Sequence, residues 1–133
     1  MINLIIEGEP TAKARPRFSK WGAYNTKETM DYEKLVKDIY MLSEQEIIEG
    51  EIVAVIECYF KVPKSASKAN RLLMLSNIAR PIKKPDVDNL AKICLDALNK
   101  LAYKDDSQIV DLRIRKWYSD EPRVVINLQG GNR

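Results

Sequence analysis

The segment EIVAVIECYF, residues 51–60, is an almost unbroken run of apolar side chains bounded by Gly50 and Pro63. A short apolar run between turn-forming residues is typical of a strand inside a sheet, where neighbouring layers cover both faces. We therefore expect this segment to form a central strand that is covered on both faces. The rest of the chain must then supply the layers around it.

Three further strands are predicted from shorter patterns. Residues 2–7 are rich in β-branched side chains and stop at Gly8. Towards the C-terminus, apolar residues alternate with polar ones in two segments, which predicts two strands that each bury one face: Val110, Leu112 and Ile114 in the first, and Val124, Ile126 and Leu128 in the second. A small hairpin is also expected around residues 19–22, in a segment without sustained periodicity.

Three helices are predicted from the 3.6-residue period of their apolar residues. The first begins after Thr26, a suitable N-cap, the second after Ser65 or Ser67, and the third after Pro85. The resulting order is βαβααββ. It predicts a single α/β domain of the mixed α+β kind over residues 1–133, in which a mixed four-stranded sheet packs with about three helices.

The length and composition of the chain are those of one globular domain. It has 133 residues, 45% of them hydrophobic, which is enough for one core. No window of eighteen residues is apolar, and the N-terminus lacks the features of a signal peptide. Cys58 and Cys94 fall in apolar patterns that indicate core positions in a reducing compartment rather than a disulfide or a metal pair. We therefore expect a cytoplasmic protein that does not contact membranes.

The chain contains no histidine. This absence excludes serine–histidine and cysteine–histidine nucleophile pairs, histidine general bases and histidine-ligated zinc. If the protein is a hydrolase, its carboxylates must therefore carry the chemistry, either alone or by holding a hard cation.

Positive charge is distributed unevenly along the chain. The 22 basic and 19 acidic residues leave a net charge of only +3, but residues 61–85 contain seven cations and no acid, and a second cluster lies in residues 13–20. Such clusters indicate a surface that binds a polyanion; ordinary solvated surface is the alternative. The candidate DNA contacts are Lys13, Arg15, Arg17, Lys20, Lys68, Arg71, Lys83 and Lys84.

Three aromatic residues, Phe18, Trp21 and Tyr24, lie within or beside the first basic cluster. Aromatic side chains among cations are suited to stacking on nucleic-acid bases. Packing within their own loop explains Phe18 and Trp21 equally well at this point.

Four aspartates near the third helix are candidates for a catalytic site. Asp86 occupies an N-cap position and Asp88 the first helical turn, where carboxylates stabilise a helix without any further role. Asp105 and Asp106 lie in a turn, where such residues are common. The chain between Asn99 and Asp106 is long enough to double back along the helix and bring Asp106 beside the first two acids. Three carboxylates so close together would require a divalent cation, and oxygen ligands suit Mg²⁺ or Mn²⁺.

Lys92 lies one helical turn from both Asp88 and Asp96, so that the three side chains share an exposed face. It either holds a positive charge at the edge of the metal site or pairs with these two acids. The spacing by itself favours the ion pair.

These residues resemble the motifs of a known family. KPDVDNLAKICLDALN, residues 84–99, followed by YKDDSQI, residues 103–109, is similar to the signature of RusA-type Holliday-junction resolvases, small endodeoxyribonucleases of bacteria and their prophages. GEPTAKARPRF, residues 8–18, resembles the basic N-terminal motif of the same family. Together the motifs cover most of the chain between residues 8 and 117.

The resemblance implies a RusA-like homodimer that resolves four-way DNA junctions by paired symmetric nicks during recombination or repair. It also implies Mg²⁺ as the cofactor, with Mn²⁺ as a substitute, and no small-molecule cofactor. The essential acids of the family fall on Asp86, Asp88 and Asp106, as catalytic metal ligands, with Asp105 as an alternative to Asp106. The essential lysine falls on Lys92.

Phosphodiester hydrolysis would then use metal-activated water, while the metal and Lys92 neutralise charge that develops on the phosphate. Two alternatives stay open. One is a nucleic-acid-binding module of the same fold that does not cut, and the other is a metal nuclease that acts on flaps or RNA.

Overall fold

A four-stranded mixed sheet forms the centre of the protein. The computed structural model describes residues 1–130, so the last three residues of the domain predicted over 1–133 lie outside the described part. The strands are β1 (Ile2–Glu7), β2 (Arg17–Ser19), β3 (Gly22–Tyr24), β4 (Ile52–Lys61), β5 (Ile109–Ser119) and β6 (Arg123–Gly130). The main sheet has the spatial order β1-β6-β4-β5, in which β4 and β5 are parallel and the other neighbours antiparallel. β2 and β3 form the separate small hairpin that was expected.

Three helices complete the domain: α1 (Lys27–Leu42), α2 (Lys68–Leu75) and α3 (Val87–Leu98). Thr26 caps α1, because its Oγ1 accepts a hydrogen bond from the N–H of Thr29 at 3.3 Å. Ser67, and not Ser65, caps α2 by accepting from the N–H of Asn70 at 3.1 Å. The predicted order βαβααββ and the mixed α/β class are confirmed. Within residues 1–130, no helix is long and apolar enough to span a membrane.

The hydrophobic core lies between one face of the sheet and the two packed helices α1 and α3. The fully buried side chains include Ile52, Ala54, Ile56 and Cys58 of β4, the alternate residues of β1 and β6, and the apolar stripe of α3. Cys58 and Cys94 are free and buried in this core, as expected, and burial raises the pKa of the Cys58 thiol to about 12. Val124, Ile126 and Leu128 of β6 are buried as predicted.

The expectation that β4 is covered on both faces is wrong in part. β4 is central, because it pairs with β5 on one side and β6 on the other. However, Val53, Val55, Glu57 and Tyr59, which point away from the core, are only half-buried. The reason is that α1 and α3 pack on the same face of the sheet, which leaves the other face without an equivalent layer.

The buried face predicted for β5 is also wrong in part, because only Ile114 of its three residues packs against the core. Val110 is 60% exposed and Leu112 43% exposed, and Ile114 is half-buried. β5 is an edge strand, and its register shifts at the start, where Ile109 pairs with Ile52 but Asp111 pairs with Val53. Val110 is therefore the extra residue of a bulge, and the helices do not reach far enough over the edge to cover Leu112.

We expect this difference between the two strands to appear in stability. Leu128→Ala in β6 removes a fully buried side chain and should cost about 2–5 kcal/mol of unfolding free energy. Leu112→Ala, the matched change in β5, should cost about 1 kcal/mol or less because that side chain is largely exposed. Urea unfolding of both variants measures the difference. Equal losses would show that Leu112 belongs to the core.

Candidate active-site cleft

The first turns of α3 and the segment of residues 13–16 enclose a cleft of about 450 Å³. Asp86, Asp88 and Lys92 line the side formed by α3, and Arg15 lines the opposite side. Asp88 and Lys92 are four residues apart, so they stack along one face of the helix, and Asp86 stands just before its first turn. The cleft thus combines two carboxylates with three cations, because Lys13 also lines it.

Asp86 does not act as a helix cap. It occupies the N-cap position with an extended backbone, but its carboxylate accepts no hydrogen bond from the first turn of α3. The backbone carbonyl of Asp86 accepts the first hydrogen bond within the helix, from the N–H of Leu90 at 3.1 Å, while the free N–H groups of the first turn receive no cap from this side chain. The capping explanation therefore does not account for an acid at this position, and the carboxylate is left exposed beside Asp88.

Lys92 does not form the ion pairs that its spacing favours. Within residues 1–130 it makes no salt bridge with Asp88 or Asp96, and its side chain is exposed on the cleft. Asp96 pairs instead with Lys13, at 3.2 Å. Consequently the ammonium of Lys92 and the carboxylate of Asp88 are both available to a ligand in the cleft.

Lys13 ties the segment 13–16 to both neighbouring helices. Its N–H donates to the carbonyl of Asn89 in α3 at 2.9 Å, and its ammonium contacts Glu33 of α1 at 2.6 Å as well as Asp96 of α3. Next to it, the N–H of Ala14 donates to Thr29 Oγ1 at 3.2 Å. Burial lowers the pKa of Lys13, but the hydrogen bonds from Lys13 to Glu33 and Asp96 outweigh that effect and raise it above its ordinary value. The wall of the cleft opposite α3 is therefore fixed.

The side chain of Lys13 is only 14% exposed, because it is committed to this tie. Of the eight candidate DNA contacts it consequently has the weakest structural support. Sequence reasoning missed the part played by Glu33, and no local signal could have found it, because Lys13 and Glu33 lie twenty residues apart on different elements.

The other candidate DNA contacts lie in four places. Arg15 is in the cleft, and Arg17 and Lys20 are exposed on the β2–β3 hairpin. Lys68 is exposed at the start of α2, where Arg71 pairs with Asp120 at 2.5 Å. Lys83 and Lys84 are exposed immediately before Asp86. The structure therefore leaves most of these cations accessible, on and beside the cleft and along α2.

The two acids of the DD pair differ in what they do locally. Asp105 caps a short 3-10 turn, where its carboxylate accepts from the N–H of Ser107 at 3.0 Å and its N–H donates to Gln108 Oε1 at 3.0 Å. Hydrogen bonds from Ser107 lower the pKa of Asp105. Asp106, by contrast, is exposed in the first position of that turn. Of the two, Asp106 is the carboxylate with no capping role.

The segment after α3 packs back onto the last turns of the helix, because Tyr103 Oη donates to the carbonyl of Leu95 at 2.5 Å. Tyr103 is fully buried and forms isolated bridges with Asn99 and Ile48, which hold the connection at the C-terminal end of the helix. Asp106 follows there and is not among the residues that line the cleft. β5 then runs back towards the start of α3, where Lys116 Nζ donates to the carbonyl of Pro85 at 2.9 Å.

Asp106 is therefore not part of the cleft that holds Asp86 and Asp88, and its expected approach to these two acids stays a prediction. Within residues 1–130 no group of three or more histidine, cysteine, aspartate or glutamate side chains is placed to hold a metal ion. A role for Asp106 stays a prediction from its motif. A roomier pocket of about 590 Å³ lies near Gln108, but neither Asp105 nor Asp106 lines it. The cleft at the start of α3 is the better candidate site, because it holds the free carboxylates.

We expect Lys13→Met to destabilise the protein, because the change leaves the poorly exposed carboxylate of Glu33 without its partner. The loss should be about 1–3 kcal/mol in urea unfolding at neutral pH. Since folding raises the pKa of Lys13, this contribution is complete below about pH 10.5, the ordinary pKa, and is lost as the pH rises further.

Lys34→Met is the matched control, because Lys34 forms an exposed pair with Asp38 on the surface of α1. Its effect should be below about 0.5 kcal/mol. If the two variants lost equal stability, the proposed tie between the segment 13–16 and the helices would be wrong.

Comparison with known proteins identifies the family of this mixed α/β domain, whose candidate cleft contains both acidic and basic side chains. The family model described as "Endodeoxyribonuclease RusA" matches residues 7–129, nearly the whole chain. The chain belongs to the RusA endodeoxyribonuclease family, and this membership implies a Holliday-junction-resolving endonuclease. The resemblance noted in the sequence is thus confirmed.

The chain is also similar to a protein of Bacillus subtilis (strain 168) named "Uncharacterized protein YqaN". The two are 37% identical over 135 aligned positions, which cover 96% of this chain and 95% of that protein. The similarity therefore extends over both proteins and is not confined to the acidic motif.

Proposed function

We propose that this protein is a metal-dependent, structure-selective endodeoxyribonuclease that cuts four-way DNA junctions by paired symmetric nicks. The observation that carries the proposal is the uncapped carboxylate of Asp86 beside Asp88, in the same cleft as Lys92. Asp86 neither caps the helix nor forms an ion pair within residues 1–130, so a contribution to stability is a poor explanation for an exposed acid at this position beside two cations. Such an acid is well explained by a ligand that carries both charges, namely a phosphate accompanied by a cation.

The donor set fits a hard divalent cation. Asp86 and Asp88 offer only oxygen ligands, and Mg²⁺ commonly takes one or two protein carboxylates together with substrate phosphate and water. A cage made wholly of protein ligands is therefore not required. When bound, Mg²⁺ or Mn²⁺ would supply Lewis-acid activation of water and of the phosphate. Asp106 is kept as a third candidate ligand because it belongs to the family motif.

The residues of the chain bind and orient the substrate. Lys92 presents its unpaired ammonium to the cleft, where it neutralises charge that grows on the phosphoryl oxygens. Arg15 faces it from the segment 13–16 and holds the DNA backbone in register, because a guanidinium binds phosphate with two parallel hydrogen bonds. Lys13 keeps that wall of the cleft in place without touching the phosphate.

Two nicks related by symmetry call for two clefts related by a two-fold axis, so we propose that the protein acts as a homodimer. Each protomer would contact phosphates through Arg17, Lys20, Lys83 and Lys84 around its cleft, and through Lys68 and Arg71 along α2. Contacts of this kind position DNA by its shape and carry no base specificity.

We expect Asp88→Asn to abolish cleavage while junction binding stays near normal or tightens. The change keeps the size of the side chain but removes the charge that a hard cation requires, and it also reduces repulsion of phosphate. Stability should hold, because Asp88 makes no ion pair in the described structure. A single-turnover nicking assay on a four-way junction at saturating protein, with Mg²⁺ and with Mn²⁺, measures the effect.

Three further variants sharpen this test. Asp106→Asn should behave like Asp88→Asn if it is a ligand, whereas Asp105→Asn should keep cleavage and nearly the same melting temperature, because asparagine caps a helix as well as aspartate does. Asp111→Asn is the control, because it removes an exposed acid outside the cleft. Wild-type rates for Asp88→Asn would contradict the metal site.

Linear duplex, flap and hairpin RNA substrates distinguish a junction enzyme from a nuclease of other specificity, and no cleavage at all would indicate a module that only binds.

We expect Arg15→Ala with Arg17→Ala to weaken junction binding and leave the melting temperature nearly unchanged, because both side chains are exposed. If about six phosphates are neutralised per dimer, the logarithm of the affinity should fall with the logarithm of salt concentration with a slope near about −5. Each lost contact should make the slope shallower by about 0.9. Titrations at several salt concentrations measure it.

Lys27→Ala with Lys34→Ala is the matched control, since it removes two exposed cations from the surface of α1 outside the cleft. This control should keep the wild-type slope. A flat salt response, or equal losses in the two double variants, would count against the cleft side as the DNA-binding surface.

A further inference from the structure

The β2–β3 hairpin exposes two large aromatic side chains that the fold does not use. Phe18 is 81% exposed and Trp21 is 86% exposed. The hairpin forms a two-stranded sheet of its own, separate from the main sheet. Packing within the loop, one of the two explanations that the sequence left open, therefore does not account for these residues.

The backbone of the hairpin holds Trp21 at its tip. Ser19 pairs with Gly22, so Lys20 and Trp21 form the turn between the strands. Ser19 Oγ accepts from the N–H of Trp21 at 3.1 Å and donates to the carbonyl of Gly22 at 3.3 Å. Gly22 has a φ of +114°, which residues with a side chain rarely adopt. The turn is thus fixed by backbone geometry and hydrogen bonds, and the indole is free to contact a ligand.

The hairpin is positively charged and continuous with the cleft. Residues 11–25 contain four cations and no acid. Lys20 Nζ lies 4.9 Å from the centre of the Trp21 ring. Pro16 lines the cleft and stands only two residues before Phe18, a distance of at most about 7 Å along the chain. Phe18 therefore lies close to the cleft, and Trp21 lies three residues further along the chain, at the tip of the hairpin.

We propose that the β2–β3 hairpin is a base-stacking element, in which Phe18 and Trp21 stack on unstacked bases at the branch point of the bound DNA. Exposed aromatic rings surrounded by cations match the two surfaces of a nucleic acid, because the rings meet base faces and the cations meet phosphates. A second copy of this chain is a poorer occupant, since two hairpins facing each other would bring like charges together. The inference rests on the proposed function for the presence of DNA in the cleft.

The first test uses Trp21 as its own probe. The chain has two tryptophans, so Trp117→Phe leaves Trp21 as the sole one. In EDTA, which prevents cleavage, a four-way junction should quench the emission of Trp21 strongly, and a linear duplex of the same length should quench it weakly. A single-stranded oligonucleotide should also quench it, because its bases are accessible.

The second test measures affinity. Phe18→Ala with Trp21→Ala should weaken junction binding about 10-fold or more, since stacking is worth about 1–3 kcal/mol per base, and should leave duplex binding and the melting temperature unchanged. Trp21→Phe keeps an aromatic ring and should retain most of the affinity. Leu42→Ala is the control, because Leu42 is a similarly exposed apolar residue, 82% exposed, at the end of α1.

The outcomes separate this inference from the proposed function. If the wild type binds and cuts junctions but the double variant binds them equally well and Trp21 is not quenched, the stacking role is overturned and the nuclease proposal stands. If the wild type fails to cut junctions while single strands still quench Trp21, the nuclease proposal fails and the stacking role is supported. A concentration-dependent blue shift of Trp21 emission without DNA, together with dimers that the double variant loses in sedimentation, would assign the hairpin to self-association and overturn the proposal.

Discussion

The contacts of Lys13 are the interaction on which the candidate site depends. One residue joins the segment 13–16 to α1 through Glu33 and to α3 through Asp96 and the carbonyl of Asn89. Without this tie the basic segment would have no fixed position opposite Asp86 and Asp88. Breaking the ion pairs between a partly buried lysine and two carboxylates costs free energy, because each charge is then left without a partner. The same contact thus serves folding and positions one wall of the candidate cleft.

The charged residues in and beside the cleft fall into two groups, those that form ion pairs and those that do not. Lys13 and Asp96 neutralise each other, whereas Lys92, one turn of α3 closer to the site, has no ion-pair partner in residues 1–130. Asp86 is similarly free, because its carboxylate accepts no hydrogen bond from the start of α3. Of the charged residues of α3, the two that form no ion pair within the described part of the chain, Asp88 and Lys92, are those that line the cleft. In a nuclease, such charges find their partners in the substrate phosphate and its cation.

The two faces of the main sheet are covered unequally. Both core helices pack on one face, so the second face of β4 and much of β5 remain partly open. The edge position of β5 also explains why Leu112 is exposed despite a sequence pattern that resembles a buried face. Alternation of apolar and polar residues identifies which side chains share a face, but the layer that covers that face comes from elsewhere in the chain.

The sequence by itself determined the elements, their order and the residues of the acidic motif, because hydrophobic periodicity, caps and turn residues act over a few neighbours. The N-cap of α1 at Thr26, the stripe of α3 and the hairpin all follow from such local rules. Only the tertiary structure decided which charged side chains form ion pairs or caps and which have no partner within the described residues. It paired Lys13 with Glu33, used Asp105 but not Asp86 as a cap, and left Asp106 out of the cleft that holds Asp86 and Asp88. These outcomes depend on contacts between residues distant in the chain, which no local pattern encodes.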